Sequence, residues 1–216
     1  MAAASVCFRR ATPADAAAVV PLIHCSGPAA FDYVFAVPGR ASALDYLRRA
    51  FVQGGGEFGH RNHTVVELDG VVAGVGAAWG SEANLAFAVA AVRQIVACYG
   101  LARAPGVIAR GLRVEAVVQP PRPGAWYVAH LGVHPEARSR GLGESLVLHL
   151  LEEGRRRGCR TAELDVATTN ARAEALYERL GFRVRRERTS TLANAQGTVP
   201  DHRRMVLELR PRAVQG

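Results

Sequence analysis

The spacing of apolar and polar positions changes several times along the chain, and each change marks an element. Val6 to Arg9 reads as a short strand. Thr12-Pro13-Ala14-Asp15 opens a helix, with Thr12 as cap, Pro13 at the first helical position and Asp15 facing the positive helix end. That helix is expected to run to Cys25 and stop at Gly27-Pro28. Leu44, Leu47, Ala50 and Phe51 then recur at helical spacing between Ala41 and Val52, ahead of three glycines at 54–56. Strand patterns over 63–68 and 71–79 flank Asp69-Gly70, a strong hairpin signal.

Residues 81–124 differ in kind. A mostly apolar helical stretch from Ala83 to Leu101, expected to be buried, and a second short helical piece lead to a breaker cluster from Gln119 to Gly124. About 44 residues cannot bury much core alone, so the segment reads as a helical insertion within a single domain spanning 1–216. From Ala125 the order becomes strand (126–133), glycine-rich turn, amphipathic helix (142–157), strand (161–166), helix (171–180) and strand (182–189), closed by a last strand over 204–209. The fold class expected is mixed α/β.

Length and composition narrow the classes. A chain of 216 residues, 49% hydrophobic and 21% charged, is neither disordered nor a coiled coil as a whole. The most apolar span, 83–102, carries Arg93 at its centre, which costs roughly 2.5–3.5 kcal/mol in a bilayer, so no membrane association is expected. Residues 1–10 lack the pattern of a secretory leader, which makes the cytoplasm the default expectation. Cys7, Cys25, Cys98 and Cys159 form no CxxC pair and are read as buried free thiols, with no metal site expected.

The charge is uneven. All 27 basic residues other than His are Arg; residues 1–108 carry 8 Arg against 7 acids, and residues 109–216 carry 19 against 12. An anionic ligand therefore belongs with the second half of the chain. Nucleic acid is not expected to be that ligand, because the basic runs at 155–157 and 183–188 lack interleaved aromatics and read as a helix C-terminus and a solvated strand face.

The chemistry concentrates between Leu131 and Glu144, where a strand (Leu131, Gly132, Val133) runs through His134-Pro135-Glu136-Ala137 into Arg138-Ser139-Arg140-Gly141-Leu142-Gly143-Glu144 and straight into a helix. Glycines permit close backbone approach, and the free N–H groups and positive end of the helix favour phosphate. The string lacks the Lys-Ser/Thr of a Walker A loop and does not match a dinucleotide fingerprint. Downstream, a strand ends in Val166-Ala-Thr-Thr-Asn170 and a helix carries Tyr177 toward Gly181-Phe182.

Together these motifs closely resemble the GNAT superfamily of acyl-CoA-dependent N-acyltransferases, loosely over 5–20 and 63–80 and closely over 126–190. The resemblance implies a mixed, mostly antiparallel, splayed central sheet flanked by helices, with acetyl-CoA as co-substrate lying in the V between two parallel strands. It implies that Leu131, Gly132 and Val133 offer the strand edge to the pantetheine arm and acetyl carbonyl. Arg138 to Glu144 would form the pyrophosphate loop, Asn170 would hold the CoA arm, and Tyr177 would be the general acid. Asn170 and Tyr177 are seven residues apart, about 700° of helical turn, so both can touch one extended ligand.

The implied reaction is direct transfer of the acetyl group to an amine, with the oxyanion held by the N–H of Leu131 or Val133. The phenol of Tyr177, ordinarily near pKa 10, suits protonation of a departing thiolate of about 8.5. His130 is the candidate base, with a half-buried histidine bonded to backbone and turned from the ligand by strand alternation as the bland alternative, and with Asp and Glu residues of the N-terminal half, acting through water, left open. An acyl-Cys route through Cys159 is disfavoured, since no base stands beside it in sequence. Segments 28–62 and 81–124 are expected to shape the acceptor site for an amine-bearing small molecule or peptide, and a homodimer is left open. The rival function is a non-catalytic acyl-CoA-binding or sensing protein on the same fold.

Overall fold

Asp69 and Gly70 both adopt positive φ, 53° and 79°, the backbone required by a two-residue turn whose twist matches its strands. They join strand β2 (His63–Leu68) to β3 (Val71–Gly80). The structure is a computed structural model and describes residues 5–209; of the segment read for a leader, residues 1–4 lie outside it. Strand β1 (Val6–Arg10) pairs with β2, and β3 pairs with β4 (Ala125–Val133), all antiparallel. Strand β5 (Thr161–Ala167) pairs parallel to β4, and the last strand of the chain enters between β5 and the strand Arg183–Arg188. With β6 (Arg183–Arg188), the short hairpin β7 (Ala193–Asn194) and β8 (Gly197–Thr198), and β9 (His202–Glu208), the seven-stranded order is β1-β2-β3-β4-β5-β9-β6. This is the mixed, mostly antiparallel sheet flanked by helices that the sequence implied.

Helices α1 (Ala16–Ser26), α2 (Pro28–Phe35) and α3 (Ala43–Gln53) cover one face. Val19, Val20, Ile23, Leu47 and Phe51 meet Val65 and Val75 of the sheet there. The other face takes α6 (Leu142–Arg156) and α7 (Ala171–Arg179), whose Leu146, Val147, Leu150, Leu151 and Tyr177 pack on Trp126, Leu164 and Met205. Helix α6 therefore buries the stripe its periodicity marked.

Several expectations need correction. Gly27-Pro28 ends α1, but Pro28 also starts α2, because a proline is well accommodated at a first helical position. The hairpin β7–β8 had no alternating signature in so few residues, and the final strand begins at His202 rather than Arg204. Residues 81–124 form α4 (Asn84–Tyr99) and α5 (Ala104–Glu115), yet only the second half of α4 is buried, through Gln94, Ile95, Cys98 and Tyr99. Leu85, Val89 and Val92 are exposed, since the first half of α4 runs beyond the core formed with α2 and α3. Tyr99 donates to the Phe35 carbonyl and Arg110 to that of Val34, which ties the insertion to α2. Of the four free thiols only Cys98 is buried; Cys7 and Cys25 are exposed, because each projects from the solvent-facing side of its element. No single helix among the described residues is long and apolar enough to cross a membrane.

Candidate active site

The site begins where β4 and β5 part. Their parallel pairing covers only Ala125, Trp126 and Tyr127 against Thr161, Ala162 and Glu163. Beyond these, β4 continues to Val133 and β5 to Ala167 without pairing to each other. The backbone N–H of His134 bonds the Ala73 carbonyl on β3 at 2.8 Å. Antiparallel alternation then directs Gly132 toward β3 and the N–H and C=O groups of Leu131 and Val133 into the opening. Gly132 is required by packing, for a Cβ there would lie 2.5 Å from the Leu22 carbonyl oxygen of α1.

The loop that follows is shaped by two left-handed residues, Ser139 at φ 62° and Gly141 at φ 76°. Gly141 caps α6, and the first helical bond runs from Ser145 N–H to its carbonyl at 3.0 Å. The N–H groups of Leu142, Gly143 and Glu144 precede that bond and sit at the positive end of the helix. The Leu142 side chain is buried, so it contributes only backbone here, while Arg140 and Glu144 are exposed. Arg138 folds back, its Nε donating to the Val133 carbonyl at 3.2 Å. Arg172, at the start of α7, reaches the same loop with a 3.5 Å bond to Ser139 Oγ. Sequence reading passed over Arg172, which has no motif of its own.

Asn170 caps α7: its side-chain oxygen accepts from Ala173 N–H at 3.2 Å, which leaves the amide NH₂ as its remaining donor. Tyr177 is buried, about 8% exposed, with its ring edge-on to Phe182 at 6.0 Å. Gly181 at φ 95° ends the helix, so that Phe182 N–H bonds back to the Tyr177 carbonyl. Burial pushes the phenol above its ordinary range and keeps it protonated. Burial likewise pushes the Cys159 thiol up, against a thiolate nucleophile.

The opposite face of β4 carries the imidazole. A bulge opposite Val75–Ala77 puts His130 at φ 55°, which breaks strict alternation. Leu131 packs toward α6, whereas His130 turns to the α1–α3 face. It stacks on Phe58 at 5.1 Å and on His63 at 5.3 Å, and Phe31 and Trp79 lie at 6.0 and 5.7 Å. Its partner is not backbone: Nδ1 lies 3.1 Å from His63 Nε2, and Nε2 lies 3.3 Å from Glu57 Oε1. Phe87 of α4 packs on Trp79 at 5.4 Å, so the insertion reaches this chamber. Glu57, Phe58 and His63 escaped sequence reading because a loop and a strand start carry no periodic signal.

At the fork a buried ionic group links β9 to β5, and a side-chain bond ties β4 to it. Arg204 of β9 bonds Glu163 at 2.6 Å and Asp165 at 2.8 Å, and Tyr127 O–H donates to Asp165 at 2.8 Å. Tyr127 thus reaches β5 by side chain just past the point where backbone pairing stops.

The chain's relatives fit this geometry. A family model described as the acetyltransferase (GNAT) family matches residues 41–182. The ribosomal protein bS18-alanine N-acetyltransferase of Salmonella typhimurium is 43% identical over 68 residues, 32% of this chain and 46% of that protein, so the chain spans about half the relative's length. Among solved structures, an N-acetyltransferase from Staphylococcus aureus Mu50 superposes with a TM-score of 0.65 at 15% identity, covering 93% of this chain and 100% of the other. The Salmonella typhimurium protein yncA, solved with its cofactor acetyl-CoA, gives 0.54 at 18% identity and covers 98% of each chain. At these identities the superpositions speak for the fold alone, whereas the family model covers most of the chain from α3 to the end of α7. With a sheet that opens between β4 and β5 and a glycine-capped helix at the mouth, the chain belongs to the acetyltransferase (GNAT) family.

Proposed function

We propose that this protein transfers the acetyl group of acetyl-CoA to an amine by direct attack within a ternary complex. The observation that carries the reading is the placement of two unlike sets of groups on either side of β4: open main-chain donors with the α6 N-terminus on one, and His130 on the other. The N–H groups at 142–144 would hold the pyrophosphate, with Arg138, Ser139, Arg140 and Gly141 shaping their approach. Leu131, Gly132 and Val133 would align the pantetheine arm, and the Asn170 amide would hold it from α7. Acetyl-CoA is a substrate here, and the reaction as written uses no metal.

His130 takes a proton from the incoming ammonium group, and the neutral nitrogen attacks the thioester carbonyl. The oxyanion is held by the N–H of Leu131 or Val133; as it collapses the C–S bond breaks, Tyr177 gives its proton to the departing thiolate, and the second proton shed by the acylated nitrogen restores the phenol. Phe31, Phe58 and Trp79, with Glu57 at 42% side-chain exposure, favour an amine that is cationic before reaction and carried on an apolar body. A small amine or a peptide N-terminus meets that description, and the bS18-alanine enzyme's name points the same way. We place the reaction in the cytoplasm, where exposed thiols such as Cys7 and Cys25 stay reduced.

A panel of amines, including alanine-initiated peptides, assayed for release of CoA thiol tests the reading. Amine-dependent release is the expected result. Tight CoA binding without release for any amine would instead mark a sensing protein on this fold.

A further inference from the structure

His63 is wholly buried, on β2, and uses both ring nitrogens. Its Nδ1 lies 2.9 Å from the Gly59 carbonyl, a group that can only accept, so Nδ1 carries hydrogen. Burial, reinforced by the neighbouring His130, pushes its pKa down to about 3, so the ring is neutral near pH 7 and its Nε2 is a bare acceptor. The hydrogen between His63 Nε2 and His130 Nδ1, 3.1 Å apart, must therefore belong to His130. This ordering holds whether His130 is neutral or charged. Only its Nε2 is left to gain and lose a proton. Since Glu57 Oε1, 3.3 Å from that atom, can only accept, the ammonium of the amine must come between the two to hand its proton over.

A free imidazole divides its hydrogen between the two nitrogens, and a base presenting Nε2–H to the amine would be inert. We infer that His63 is a positioning residue that locks His130 in the Nδ1–H form, so that Nε2 takes the ammonium proton and Glu57 receives the cationic amine at the mouth. The step balances. One N–H bond of the ammonium breaks and one forms at His130 Nε2, after which the proton leaves past the exposed Glu57 carboxylate. It cannot pass inward, because His63 is closed off by a carbonyl. The catalytic part of this inference rests on the acetyltransferase reading, while the tautomer does not.

Nitrogen-15 spectra of histidine-labelled protein, with His130→Asn assigning the ring, report the tautomer without any substrate. Expected is Nδ1–H for His130 in the native chain. His63→Phe removes the acceptor but keeps a ring, so His130 should move to Nε2–H and kcat should fall about 10²-fold with KM for acetyl-CoA unchanged. His63→Gln can donate to Gly59 and accept from His130 as the imidazole does, so it should keep the Nδ1–H form and recover most of the rate. A native His130 in the Nε2–H form overturns the inference, as does a His63→Phe variant with full kcat. Should His63→Phe fail to fold, the native spectrum and the His63→Gln rate decide alone. An intact Nδ1–H form with no turnover for any amine counts against the acetyltransferase reading instead.

Discussion

On the side of β4 that faces the opening, the groups on offer are main chain: Leu131 and Val133 at a free edge and the amides that begin α6. On the side that faces α2 and α3 they are side chains: His130, His63, Glu57, Phe31, Phe58 and Trp79, drawn from separate elements and mostly buried. The first side should tolerate most side-chain replacements and fail where the backbone itself depends on glycine. The second should fail with the loss of one ring or one proton. Under the proposed function the first construction serves the cofactor arm and the second selects the acceptor.

Tyr177, on the α6–α7 face, should give the largest effect. Tyr177→Phe keeps the ring against Phe182 and removes one proton donor, so kcat and kcat/KM should fall together by about 10²–10⁴-fold, roughly 3–5 kcal/mol of barrier. Affinity for CoA and thermal stability should hardly move. Full turnover with a lowered melting temperature would make Tyr177 a core residue and leave thiolate protonation to water.

The side-chain face should also betray itself in acid. In the unfolded chain His63 takes up its proton near 6.5, whereas in the folded protein burial first, and then the charge of His130, lowers that value to about 3. Between those values the unfolded state binds more protons. Stability should thus be intact above about pH 6.5 and fall toward pH 3, by at most about 1.4 kcal/mol per pH unit. Denaturant titrations across that range should show the slope, and His63→Phe should flatten it; an unchanged slope in the variant would assign the acid sensitivity elsewhere.

The main-chain face is sharpened by comparing its two glycines. Gly141 lies at φ 76°, where any residue with a Cβ is strained by about 1–3 kcal/mol. Gly141→Glu, which adds a negative charge beside the pyrophosphate, should weaken CoA binding by roughly tenfold or more in a calorimeter. A Cβ at Gly143 would meet Leu176 and Val133 at an ordinary 3.7 Å, so Gly143→Ala should be mild. Equal losses at both positions would mean that bulk, not backbone conformation, controls the loop.

Asn170 gives the smallest effect. Asn170→Ala should cost about 1 kcal/mol of stability through the lost cap. Asn170→Asp keeps the cap oxygen but loses the amide donor, so it should weaken CoA binding several-fold at near-native stability, read by calorimetry and melting on the same sample. Unchanged affinity in the Asp variant would leave Asn170 a cap and nothing more.

The proposed CoA side can be drawn from residue order because its parts are neighbours in the chain. A strand end, two glycines and a helix start lie within 131–144, and their chemistry follows from local backbone geometry. On the proposed acceptor side residue order pointed to His130 and to the segments 28–62 and 81–124, but to no partner for the imidazole, because a bulge resets the side-chain direction. Glu57 and His63 meet His130 across 73 and 67 residues of chain, a distance over which no periodicity carries information.

From residue order alone came the elements that strong local signals specify: the Asp69-Gly70 hairpin, the stripe of α6, the breakers around the insertion, and the glycine-capped loop with its family resemblance. These depend on turn chemistry and hydrophobic period, which act over a few residues. Tertiary structure alone decided that β9 enters between β5 and β6, that half of α4 stays exposed, and which hydrogen sits between His63 and His130. The first two follow from which faces find partners when the sheet packs on both sides. The last follows from burying an imidazole against a carbonyl, which leaves the proton only one place to be.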